Sequence, residues 1–136
     1  MDRMKIIEEW WRLNGGAFVN LDEILPFVVL HKLPEPTDLA PTPMLIGAKT
    51  LQAKVIGTQD PAAFRRTLSE SWTGYSARIV AEQQRVAELG FPDISESIFP
   101  SNLTGKGFIY RRGLFPVVTT ENLRMLMTYT ASITSH

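Results

Sequence analysis

The chain has 136 residues, 44% of them apolar, with 14 basic and 14 acidic side chains. That length and apolar share bound it to one globular domain whose core needs no covalent staples, and zero formal charge gives no electrostatic reason to expect nucleic acid or a membrane surface as a partner. With no cysteine, and His31 and His136 as its histidines, the chain cannot build disulfides, thiolate nucleophiles, cysteine-held zinc or iron–sulfur clusters, and a histidine-rich metal site is disfavoured.

The N-terminus is charged, and the longest apolar run falls far short of the ~20 residues a membrane span needs, which predicts a cytoplasmic protein. Residues 2–13 carry Ile6, Ile7, Trp10, Trp11 and Leu13 among charges, placing an apolar stripe on a short helix that Asn14-Gly15-Gly16 stops. A helix this short is marginal alone and must dock. It either packs on its own domain or covers the outer sheet face of a second copy. The second arrangement is the one predicted, a closed two-fold homodimer with Ile6, Ile7, Trp10 and Trp11 as its interface.

From Asn20 the chain reads NLDEILPFVVLHKL: Asn20 can cap one helical turn that Pro26 ends, and residues 27–30 read as a first strand. Residues 34–43 hold four prolines and no periodicity, which predicts a loop. A second strand follows over 43–50, with Gly47 marking a bulge or a close backbone approach. Leu51, Val55 and Ile56 fit a short helix stopped by Gly57, and Asp60-Pro61 reads as the N-cap and first residue of another.

The longest helix is predicted over 72–89, with Trp72, Tyr75, Ile79, Val86 and Leu89 on one stripe and Arg78, Glu82, Gln83, Arg85 and Glu88 elsewhere; Gly90-Phe91-Pro92 ends it. A third strand lies within 93–100, where Ile94, Glu96 and Ile98 alternate with Ser95, Ser97 and Phe99. Residues 102–107 then turn the chain into a hairpin. Its strands are GKGFIYRRGLFPVV and LRMLMTYTASI, joined by Thr119-Thr120-Glu121-Asn122. In the last strand Leu123, Met125, Met127, Tyr129, Ala131 and Ile133 share one face. Arg124, Thr128, Thr130 and Ser132 share the other, with Leu126 as the exception. This period of two predicts a strand with one buried face, covered by the helices upstream.

The order helix, strand, strand, helices, three strands predicts an α+β domain with one five-stranded antiparallel sheet and helices gathered on one face. In that order, and in several short motifs, the chain resembles the PAS sensory domains. It is most similar to a bacterial single-domain subgroup that opens with an aromatic-rich segment, here Glu9-Trp10-Trp11-Arg12-Leu13. That subgroup has a Leu-Pro before the first strand, here Leu25-Pro26, and glycines after the second strand and the next helix, here Gly47 and Gly57. A Gly-x-Pro ends its long helix, here Gly90-Phe91-Pro92, and its hairpin strand matches Tyr110, Arg112, Leu114 and Pro116. The resemblance spans about residues 7–133 and divides the chain into an N-terminal helix, 1–16, and a PAS-like sensory domain, 17–136. Two departures stand out. Ala17-Phe18-Val19-Asn20 lies where the subgroup has a proline and an arginine, and the loop over 34–41 is longer.

The resemblance implies a non-catalytic module of bacterial signalling that binds a small molecule or a signalling protein and acts through that partner or by self-association. Haem is disfavoured because the long helix has no histidine, and flavin adducts and thiol-linked chromophores because there is no cysteine. Purified protein should therefore be colourless. Candidate pocket residues between sheet and helices are Met44, Ile46, Phe64, Trp72, Tyr75, Ile79, Tyr110, Phe115, Met125, Met127 and Tyr129, although an aromatic and methionine stripe of this kind is usually packed core. Tyr110 and Arg112 share a strand face and could together hold a carboxylate, unless that face meets solvent or Arg112 is used in a salt bridge. The alternative is a small-molecule enzyme of the cone-shaped α+β barrel type, which needs an acid or base on the inner sheet face. The strands offer Asp93 and Glu96 near an edge, and His31 reads as a surface or satisfied group. Lys106, Arg111, Arg112 and Arg124 are too few, beside Glu121 in a neutral chain, to indicate nucleic acid.

Overall fold

The structure, a computed structural model, describes residues 2–99 and 108–132. In chain order it contains α1 (Arg3–Leu13), a 3-10 turn (Leu25–Phe27), β1 (Val28–Lys32), β2 (Thr42–Ile46), α2 (Leu51–Ile56), α3 (Pro61–Ser71), α4 (Thr73–Leu89), β3 (Asp93–Phe99), β4 (Phe108–Val118) and β5 (Arg124–Ser132). The five strands form one antiparallel sheet in the order β2-β1-β5-β4-β3. This is the α+β class and strand number that the alternation of elements predicts. The predicted turn at 102–107, with Lys106, and the predicted strand end at Ile133 lie outside the described residues.

Local chemistry sets the helix ends. Asp2, Thr50 and Asp60 accept from the backbone N–H groups of Met4, Ala53 and Ala63, supplying partners for donors that a helix start leaves open. Gly57 and Gly90 close α2 and α4 at φ 84° and 75°, a left-handed conformation that favours glycine. Asn20 is not a helix cap. It sits at φ 56°, before the turn that starts at Asp22, and its amide donates to Asn14 Oδ1 at 2.8 Å.

The predicted close approach at Gly47 is real: a Cβ there would lie 2.4 Å from the Pro26 carbonyl oxygen. Between β1 and β2 the register shifts after Leu30↔Leu45 to His31↔Pro43, leaving Met44 as the extra, bulged residue. Met44 is 53% exposed and lines no pocket wall, contrary to expectation.

The α2–α4 segment gathers on one face of the sheet, as expected, and the N-terminal helix α1 covers the other. On the α1 face, Met4, Ile7 and Trp10 pack with Val28, Leu30, Phe115, Val117, Met127 and Tyr129. On the other, Ala53, Phe64, Leu68 and Trp72 from the α2–α4 segment pack with Val29, Ile46, Phe99 and Tyr110. Alternate residues of β1, β4 and β5 serve the two layers, as strand geometry requires. The periodic face of β5 carrying Met125, Met127 and Tyr129 is therefore buried by α1, and Leu126, Thr128 and Thr130 on its reverse are buried as well.

The α1 helix thus docks on the outer sheet face, but of its own chain. Ile7 and Trp10, expected at a homodimer interface, are core residues here, while Ile6 and Trp11 are half-buried beside them. The two indole N–H groups donate to the carbonyls of Val19 and Pro116 at 2.8 and 2.6 Å, so both rings are anchored although one stripe cannot bury both. Gly113 lets α1 come close, because a Cβ there would lie 2.8 Å from Met4 Sδ. In α4 the buried stripe is Ser76, Val80, Gln83 and Val86, and Leu89 is exposed. Among the described residues no helix is long and apolar enough to cross a membrane.

Candidate functional site

Between the inner sheet face and the α2–α4 layer lies a cavity of about 30 Å³. Its apolar wall comes from Pro41, Ile56, Phe64, Leu68, Ile79, Phe99 and Leu114, and its polar wall from His31, Gln52, Tyr75, Tyr110, Arg112, Thr128 and Thr130. Strand alternation explains the polar set. On β4, Tyr110, Arg112 and Leu114 point inward together, as do Thr128 and Thr130 on β5 and His31 on β1. Register aligns them across strands: Arg112 is opposite Thr130, and Leu114 opposite Thr128.

Of the residues expected in a pocket, Phe64, Tyr75, Ile79, Tyr110 and Arg112 line this cavity. Trp72 does not: it is buried behind the wall, its ring 5.4 Å from Tyr75 and 5.7 Å from Phe99. Ile46 belongs to the same buried cluster without lining the cavity. Phe115, Met127, Tyr129 and the half-buried Met125 are on the α1 face, across the sheet. The expectation failed there because it assigned the single apolar face of β5 to the main helical layer, whereas α1 offered that face an apolar partner of its own.

The polar wall is largely organised by the protein itself. The Tyr75 and Tyr110 hydroxyls meet at 2.5 Å, and Thr130 Oγ1 donates to Gln52 Oε1 at 2.6 Å. His31, read from the sequence as a surface or satisfied group, is 5% exposed and its Nδ1 lies 3.4 Å from Thr128 Oγ1. Burial holds the imidazole down at about 4, so it is neutral at physiological pH. Burial, followed by the charge and hydrogen bond of Tyr110, raises Tyr75 far above the ordinary phenol range, so that hydroxyl stays protonated.

Arg112 faces inward but is ion-paired, the salt-bridge alternative that the sequence left open. Its side chain is 4% exposed. Glu82 of α4 pairs with Nη1, Nη2 donates to Ser95 Oγ at 3.0 Å, and Asp93 Oδ2 lies 3.8 Å from Nη2. Asp93 in turn pairs with Arg85 at 3.1 Å, closing a chain of alternating charges that ties α4 to the β3–β4 edge. The carboxylate expected beside Arg112 is thus supplied by the protein.

Arg112 Nε is buried without a hydrogen-bond partner, as are both amide atoms of Gln83. Sequence reasoning missed His31, Gln52, Thr128 and Thr130 because threonine on the polar side of an alternating strand reads as solvent-facing. The available signal was Leu126, an apolar residue in the middle of that side. Among the described residues no group of three or more His, Cys, Asp or Glu could hold a metal ion. No protein-family model matches the chain, and no curated protein does.

Proposed function

We propose that this chain is a PAS-like, non-catalytic sensory module of bacterial signalling that binds a small molecule between sheet and helices and passes the signal to a partner protein or a second copy. The observation that carries the reading is the ring of inward polar side chains around the cavity, in a domain whose interior could have been closed with apolar ones. Buried polar groups lower stability unless satisfied, and pockets that combine an apolar wall with a few converging polar groups are the usual form of a small-molecule site. Support for the PAS-like reading comes from the order of elements along the chain, two strands, a run of helices and three strands, on which the resemblance rests. Acid or base catalysis finds little support: His31, at about 4, is a weak base at neutral pH, and Glu82 and Asp93 are engaged with arginines.

A thermal-shift screen of compact polar molecules against the native chain and an Ile79→Phe variant tests the reading. Compounds that bind the cavity should raise the native Tm by several degrees at about 100 Kd and leave the filled variant unmoved. Equal shifts in both proteins, or none in either, would refute it.

A further inference from the structure

We infer that the cavity takes a small uncharged molecule presenting a hydrogen-bond-accepting oxygen, a carbonyl or an amide rather than a carboxylate. This rests on the ligand-binding reading above and specifies the class of ligand. Two features carry it: the balance of charge and the donors left unused.

The charge at the site is already balanced. Arg112 and Arg85 face Glu82 and Asp93 in one connected network. A ligand carboxylate could reach Arg112 only by adding a second negative charge beside Glu82 or by expelling Glu82 from the pair. Either course leaves a charge without compensation in a poorly solvated place. An uncharged ligand meets neither obstacle.

Donors in the wall stand unused. A guanidinium offers five N–H donors and accepts nothing, and Nε of Arg112, a side chain that lines the cavity, has no partner. The Tyr75–Tyr110 contact uses one of its two phenolic protons whichever hydroxyl donates, leaving the other to donate. On the opposite wall Gln52 Oε1 already accepts from Thr130. A neutral carbonyl oxygen, with two lone pairs, would accept from the arginine and the phenol without adding charge. At about 30 Å³ the space holds on the order of two waters, so the ligand is compact unless wall side chains move aside.

Isosteric amide and acid pairs of the smallest size test the class: formamide against formate, and acetamide against acetate, each titrated into the intact chain and followed in amide proton–nitrogen NMR spectra. The amides should shift the Arg112 and Thr130 signals saturably, and the acids should bind at least about tenfold more weakly. In Glu82→Gln, which keeps the side chain's shape and removes its charge, the acids should gain about tenfold or more. If that variant does not fold, the native comparison decides alone. Acids binding the native chain as tightly as the amides would overturn the class while leaving the cavity reading intact. Saturable shifts from none of the four compounds in either protein would overturn the cavity reading together with it.

Discussion

The two faces of the sheet are built on opposite terms. On the α1 face Ile7, Val28, Phe115 and Met127 are each 0% exposed, and apolar side chains interlock around them, with the Tyr129 phenol, raised by burial, as the ionisable group among those packed there. The inner face buries His31, Gln52, Ser76, Gln83, Arg112, Thr128 and Thr130 among its apolar residues, and leaves Gln83 and Arg112 Nε unsatisfied. Fully burying one large apolar side chain contributes about 1.5–3 kcal/mol, whereas an unpartnered buried polar group costs about 1–3 kcal/mol. The contrast implies a division of labour: the α1 face holds the sheet together, and the inner face is free to carry polar groups that packing alone would not select.

The strongest way to break this contrast is at the α1 face. Trp10→Ala removes a ring that is 8% exposed and its indole bond to Val19, and should cost roughly 3–5 kcal/mol in urea unfolding. A loss under about 1 kcal/mol would mean that α1 is a loosely held cap.

The inner face should respond to pH instead. Because the folded-state pKa of His31 is lowered from 6.5 to about 4, the unfolded chain takes up a proton first as pH falls, and this contribution to stability is present above 6.5 and declines towards pH 4. The loss should be on the order of 2–3 kcal/mol across that window, read from urea midpoints. His31→Leu should flatten the profile there; an unchanged slope would show that other groups set it.

Gly113→Ala probes how closely α1 is seated. The added Cβ would meet the Phe115 ring at 2.6 Å and Met4 Sδ at 2.8 Å, and overpacking of this kind costs about 1–3 kcal/mol. A second change, Met4→Ala, should then cost less in the variant than in the native chain, a non-additivity that a double-mutant cycle measures.

The smallest expected effect has the opposite sign. Gln83→Leu exchanges a fully buried, unpartnered amide for an apolar group of similar size, and should raise stability by about 1 kcal/mol. Destabilisation by the same amount would show that the amide has a partner in solution, such as a buried water.

The sequence by itself determined what depends on neighbours along the chain. Proline after Asp60 and glycine at 57 and 90 mark helix ends because capping and left-handed φ are local requirements. Alternation over residues 123–133 marks a strand, and strand parity alone puts Tyr110 and Arg112 on one face, while only the structure shows that this face is the inner one. Tertiary structure alone decided which layer covers which face. Periodicity says that Met127 and Tyr129 are buried together but not by what, and two helical surfaces, α1 and the α2–α4 layer, were each apolar enough to serve. Once α1 takes the Met127 face, Thr128 and Thr130 on the reverse become interior residues. Arg112, Glu82 and Asp93, far apart in sequence, then meet only because α4 and the β3–β4 edge are folded against each other.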